Sequence, residues 1–163
     1  MEIRGFAVGL LLALSATLLV DTQTTDVMRR YKHFLRQHVI EDMELNQCDQ
    51  VINKRNINKC NTNNCKEINT FILATDEQVR AVCSDGGTPK GRNLYESTKR
   101  FPLVICKLKK GARCPKCEYN GKKSRRTITV ACVKGWPVHF EGSNIVLDLF
   151  KGIFERALMM LSG

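Results

Sequence analysis

The chain has 163 residues, 43% of them hydrophobic, and a formal net charge of +10. That length makes one domain the default, with enough chain for a real core. The charge favours phosphate polyanions, acidic glycans or anionic membranes as partners, and disfavours basic ones, without choosing among the first three.

Met1 to Arg4 carry a basic residue and Gly5 to Val20 form an uncharged apolar run. This reads as a secretory leader over residues 1–23, cut somewhere within 20–25. The run is short for a membrane span, and the polar stretch Asp21 to Thr25 follows it with no basic stop-transfer cluster. Losing the leader removes Glu2 and Arg4 together, and a cut after Asp21 removes that carboxylate as well, so the net charge stays at +10 or rises to +11.

Asp26 to Ile40 reads as a helix with Asp26 as N-cap. Val27, Met28, Tyr31, Phe34, Leu35 and His38 share one face, with Arg29, Arg30, Lys32 and Arg36 largely outside it. His38 so placed can be no more than a satisfied core histidine. Asp49 to Asn64, rich in Asn and Lys, holds a short helix and then a loop. Phe71 to Ala74 reads as a strand end, and Asp76 to Cys83 as a short helix stopped by the turn signal Asp85-Gly86-Gly87-Thr88-Pro89. Three strands follow at Phe101–Leu108, Cys117–Tyr119 and Thr127–Val133, the last rich in β-branched residues. Between the second and third, Asn120-Gly121 marks a turn and Lys122 to Arg126 a solvated basic loop. Trp136 to Phe140 reads as a final strand. Helices first and antiparallel strands later predict an α+β domain over 24–144. From Ile145 to Leu161 apolar residues recur in pairs every four positions, so 145–163 reads as an amphipathic helical extension.

All eight cysteines follow the leader, and an even count on an oxidising route predicts four disulfides. Spacing alone leaves 105 pairings open. Cys114-Pro-Lys-Cys117 has CxxC spacing, but the sequence offers neither a matching Cys/His pair for zinc nor a βαβ context for a redox site. No metal or other cofactor is expected.

The only histidines are His33, His38 and His139. Two imidazoles at one phosphate can serve as general base and general acid near neutral pH. A lysine can stabilise charge building on phosphoryl oxygens. Lys66, beside Cys65, could supply that charge, although a lone lysine is more often simply exposed. With no nucleophile signature in the protein, the natural substrate is RNA, which brings its own 2′-hydroxyl.

Arg36-Gln37-His38, Cys65-Lys66-Glu67-Ile68-Asn69-Thr70-Phe71 and Pro137-Val138-His139-Phe140 together resemble the pancreatic-type ribonuclease (ribonuclease A) superfamily. The middle stretch carries Cys-Lys-x-x-Asn-Thr-Phe in full, and the resemblance runs from about Val27 to Ser143, closer to angiogenin-like and fish-type members than to the digestive enzyme. It implies a ribonuclease A-like fold of short helices on a curved antiparallel sheet. It implies cleavage of single-stranded RNA 3′ of pyrimidines through a 2′,3′-cyclic phosphate. His38 would be the base, His139 the acid and Lys66 the stabiliser of transition-state charge. Gln37 and the main chain at Phe140 would hold the phosphate. Thr70 would read the pyrimidine, with Ile68, Asn69 and Phe140 lining the pocket.

Where the family carries an Asp that orients the acid, this chain has Glu141, one methylene longer. The resemblance pairs Cys48–Cys106, Cys65–Cys117 and Cys83–Cys132, leaving Cys60 and Cys114 for a fourth bridge. It also implies a secreted, extracellular monomer, unless the C-terminal helix self-associates. Heparin-like glycans, anionic membranes or ribonuclease inhibitor would be further partners. A different class of function stays open: a cationic effector with angiogenic or antibacterial action, in which RNA cleavage is weak or dispensable.

Overall fold

A computed structural model describes residues 24–58, 60 and 64–144 of the chain. The expected leader over 1–23 and the expected helical extension over 145–163 lie outside the described residues.

Helix α1 runs over 24–38 and ends two residues sooner than its apolar periodicity predicts. Val39–Ile40 leave it as a two-residue strand, β1. The remaining elements are α2 (Cys48–Lys54), β2 (Ile68–Leu73), α3 (Asp76–Arg80), β3 (Gly87–Pro89), β4 (Leu94–Ser97), β5 (Phe101–Leu108), β6 (Tyr119–Val133) and β7 (Trp136–Asn144). The strands form one seven-stranded sheet in the order β1-β2-β5-β6-β4-β3, with β7 also on β6. Among the described residues only the β1–β2 pair is parallel; the other pairs are antiparallel. The α+β expectation holds.

Strand β6 organises the sheet. Its first part pairs with β5, and its second part is flanked by β4 and β7. The two short strands and the basic loop expected between Cys117 and Val133 are therefore one continuous strand of 15 residues. The basic run does not loop out because β5 pairs along all of it, from Lys122 opposite Ile105 to Arg126 opposite Phe101. Long-range pairing overrides the local polar composition. Gly121 is not a turn residue either. A Cβ there would run into the carbonyl of Leu45, so the glycine permits a close backbone approach within a strand. Gly87–Pro89, expected as turn, is strand β3 because β4 pairs with it. The β6–β7 hairpin closes through Lys134 and Gly135, both at positive φ (50° and 76°), as a two-residue loop of matching twist requires.

The core forms on both faces of the central strands. In β2, Phe71 joins a cluster with Met43, Ile52 and Val104, whereas the next residue, Ile72, joins Phe34, Val79, Leu103 and Ile128. That is the two-residue alternation of a strand buried on both sides. Disulfides Cys48–Cys106, Cys60–Cys114, Cys65–Cys117 and Cys83–Cys132 tie helices and loops to the sheet.

Candidate functional site

The site lies where the end of α1, the start of β2 and the middle of β7 meet. Two contacts hold α1 against β7. Val27 of α1 packs with Val138 and Ala131, and the Tyr31 ring lies 4.8 Å from that of Trp136. The Arg80 guanidinium covers Trp136 at 3.6 Å from the ring centroid. At the other end of α1, Arg55 reaches back to the last carbonyls. Its Nη1 donates to Val39 O at 2.7 Å and Arg36 O at 3.1 Å. This caps the helix at the residues that precede and follow Gln37 and His38.

His38 is buried and clamped. Its ring stacks on Phe140 at 5.0 Å and meets Phe34 at 5.8 Å. Nδ1 lies 2.9 Å from Thr70 O. A carbonyl only accepts, so Nδ1 must carry the proton and donate, and Nε2 keeps the free lone pair. Burial pushes the His38 pKa down to about 4. The Thr70 hydrogen bond works against this shift, while the nearby charges of Lys66, His139 and His33 add to it. At neutral pH the imidazole is neutral, as a general base must be.

Lys66 is half-buried, and burial lowers its pKa from the usual lysine value. Nζ donates to Asn69 Oδ1 at 2.8 Å, and Asn69 Nδ2 donates to Gln37 O at 3.0 Å. Asn69 is fully buried. Its amide joins the lysine to the helix end. The main chain of Lys66 is fixed on both sides. Its N–H donates to Asn58 Oδ1 at 3.0 Å, and its carbonyl lies 2.8 Å from the Tyr119 hydroxyl. Cys65, one residue back, is bridged to Cys117.

His139 stands opposite Ala131 in the β6–β7 ladder, and its side chain is 65% exposed. Its Nε2 lies 3.6 Å from Glu141 Oε2, which leaves Nδ1 open. It shares a cleft of about 430 Å³ with Val138, Arg29, Arg30 and His33. Thr70 is buried opposite Ile105, and Ile68 is half-exposed at the start of β2.

The structure thus gathers His38, Lys66 and His139, with Gln37, Asn69, Thr70, Phe140 and Glu141 around them. Sequence reasoning did not single out Arg55, Asn58, Tyr119 or the role of Arg29, Arg30 and His33 at the cleft. The partners of Asn58 and Tyr119 lie 8 to 70 positions away, so no local pattern marks them. The adjacent cationic residues on α1 were visible, but not their placement beside His139.

The arrangement can take a proton at His38 Nε2, give one from His139, and hold negative charge at Lys66. Comparison with known proteins places the chain among ribonucleases. The family described as pancreatic ribonuclease matches residues 29–141. Ribonuclease-like 3 of Danio rerio is 45% identical over 90% of this chain and 100% of its own length. Angiogenin-3 of Mus musculus is 40% identical over 71% of this chain and 79% of its own. The X-ray structure of zebrafish RNase5 superposes with a TM-score of 0.67 at 49% identity, covering 72% of this chain and 96% of that one.

Proposed function

Because the chain belongs to the pancreatic ribonuclease family, we propose that it is a secreted endoribonuclease cleaving single-stranded RNA on the 3′ side of pyrimidines. His38 Nε2 takes the proton of the 2′-hydroxyl. The oxygen attacks phosphorus, the bond to the 5′-oxygen breaks, and His139 gives that oxygen its proton. Lys66 offsets the charge on the phosphoryl oxygens, in a half-buried setting where a fixed cation counts for more than in water. The product is a 2′,3′-cyclic phosphate, hydrolysed afterwards with the two imidazoles in exchanged roles. Gln37 and the main chain at Phe140 hold the phosphate, and Thr70 reads the pyrimidine edge. The cleft of Arg29, Arg30 and His33 beside His139 suits the phosphates of a continuing RNA chain.

The observation that carries this reading is the His38–Thr70 hydrogen bond, which leaves a neutral imidazole with its lone pair on Nε2. Poly(C) cleavage tests it. His38→Ala and His139→Ala should each lower the rate by about 10²–10⁴, with the cyclic phosphate seen by phosphorus NMR in the wild-type reaction. A His38→Ala protein that is folded and cleaves at the wild-type rate sinks the mechanism. The leader over 1–23 delivers the chain outside the cell. Cleavage by the full chain beside a version ending at Ser143 decides whether the extension covers the pyrimidine pocket: faster cleavage on truncation means that it does.

A second reading rests on the likeness to a mouse angiogenin and on the exposed cations Lys122, Lys123 and Arg125 of β6. On this reading the protein is a cationic effector acting on cells or bacteria, with heparin-like glycans or anionic membranes as partners. Angiogenic or bactericidal activity that survives His38→Ala separates it from the first.

A further inference from the structure

Two of the four disulfides lie side by side. Cys60–Cys114 and Cys65–Cys117 approach so closely that Cys114 Sγ is 3.5 Å from Cys117 Sγ and 3.8 Å from Cys65 Sγ, while Cys60 Sγ is 3.8 Å from Cys117 Sγ. These are van der Waals contacts between bridges, so exchange needs a side-chain rotation that brings the attacking sulfur in line with the bond it breaks, and no longer movement. The bridges differ in access. In the first, Cys60 is exposed and Cys114 half-buried; in the second, Cys65 is half-buried and Cys117 is 3% exposed. The two remaining bridges have both ends buried. An external thiol therefore meets Cys60–Cys114 first. Cys114 and Cys117 sit in one tight turn, closed by the bridge between Arg113 and Lys116. Those two exposed cations put positive charge beside any thiolate formed there.

We propose that the paired bridges form a single exchange site for dithiols, through which opening of Cys60–Cys114 at the surface frees Cys65 next to Lys66. A dithiol supplies two electrons and two protons, leaves as its own cyclic disulfide, and yields thiols at Cys60 and Cys114. The Cys114 thiol loses its proton and, after turning about χ1, its thiolate attacks Cys117 Sγ. A Cys114–Cys117 bond forms, the Cys117–Cys65 bond breaks, and the Cys65 sulfur departs as thiolate and takes up that proton. The net result is one bridge fewer, a new bridge within the CxxC turn, and thiols at Cys60 and Cys65. Cys65 then no longer anchors the segment that carries Lys66. For its effect on activity the inference rests on the catalytic reading of Lys66; the exchange itself does not.

The test uses the full chain, limiting dithiothreitol, alkylation of free thiols and peptide mass mapping. Cys65 should be alkylated together with Cys60, and Cys114–Cys117 recovered within one peptide. Alkylation confined to Cys60 and Cys114 overturns the proposal, as does any map in which Cys65 stays bridged. In a Cys60→Ser/Cys114→Ser double variant, Cys65 should resist the same dose; equally fast labelling there means direct attack and also overturns it. Poly(C) cleavage by the exchanged form should fall about tenfold or more and return on reoxidation. If no form of the chain cleaves RNA, the catalytic reading fails while the thiol map still decides the exchange.

Discussion

Lys66 Nζ donates to Asn69 Oδ1 across 2.8 Å, and the same amide donates through Nδ2 to Gln37 O at 3.0 Å. One fully buried side chain therefore sets both the lysine and the end of the helix that carries His38. Asn69→Ala would leave Gln37 O short of a donor and Lys66 free to swing. Stability should fall by about 1–3 kcal/mol in urea melts, and RNA cleavage by about 10- to 100-fold. Asn69→Asp should pin the ammonium yet cancel its charge, so it should not rescue cleavage. A folded Asn69→Ala protein cleaving at the wild-type rate would contradict this positioning role.

Burial of His38 links stability to pH. The folded imidazole takes its proton only near pH 4, against about 6.5 when unfolded. Between those values the unfolded chain binds more protons, so unfolding becomes easier as pH falls. The stability of a neutral His38 is complete above 6.5, declines from there to about 4, and is flat below. The full span is worth about 3 kcal/mol. Urea midpoints between pH 4 and 7 should fall for the wild type and less for His38→Gln. The rate at low substrate should rise on the acid side with the same group. Lys66→Ala should move that limb to higher pH by a small step, because burial outweighs the lysine charge as the cause of the shift.

The three candidate residues His38, Lys66 and His139 were legible because each lies in a short contiguous string: Gln37-His38, Cys65 to Phe71, and Val138-His139-Phe140. Local composition read α1, β5 and the end of β6 because their patterns are amphipathic or β-branched. It misread Asn120 to Arg126, whose polar residues form strand only because β5 pairs with them. The partners of the Asn69 amide were not legible for a related reason. A Cys-Lys-x-x-Asn string fixes the residues, but whether the amide faces a ligand or the Gln37 carbonyl depends on a helix 32 positions away. Tyr119 and Asn58 became visible only once the fold set them beside the Lys66 main chain.

Arg55 is the cap of α1. Its guanidinium reaches Val39 O at 2.7 Å, Arg36 O at 3.1 Å and Leu35 O at 3.5 Å, and lies 5.9 Å from the Phe71 ring centroid. Hydrogen bonds from a charged donor are worth about 1.5–3 kcal/mol. Arg55→Met keeps the aliphatic stem and removes the donors, so thermal unfolding should begin several degrees lower, at about 2–8 °C per kcal/mol, the range that spans domains smaller and larger than this one. All three carbonyls meet the one nitrogen Nη1, so Arg55→Lys, whose ammonium also carries several donors, should recover the part of the loss that its shorter stem can reach. Below the melting range, cleavage per folded molecule should fall much less than in His38→Ala. A loss as large as that of His38→Ala would mean that Arg55 itself touches RNA.

Glu141 lies 3.6 Å from His139 Nε2, with the two side chains 55% and 65% exposed. Exposed pairs of this kind contribute about 0–1 kcal/mol. Glu141 should therefore orient the imidazole without deciding turnover. Glu141→Ala should lower kcat by no more than about fivefold, with KM little changed, because the carboxylate acts on the ring and not on RNA. On a His139→Ala background the same substitution should do nothing further, as there is no ring left to orient. Glu141→Asp retains the charge on a stem one methylene shorter, so its kcat reads how much the separation matters. A loss beyond about 100-fold in Glu141→Ala, or one that persists without His139, would place the carboxylate in contact with substrate rather than behind the acid.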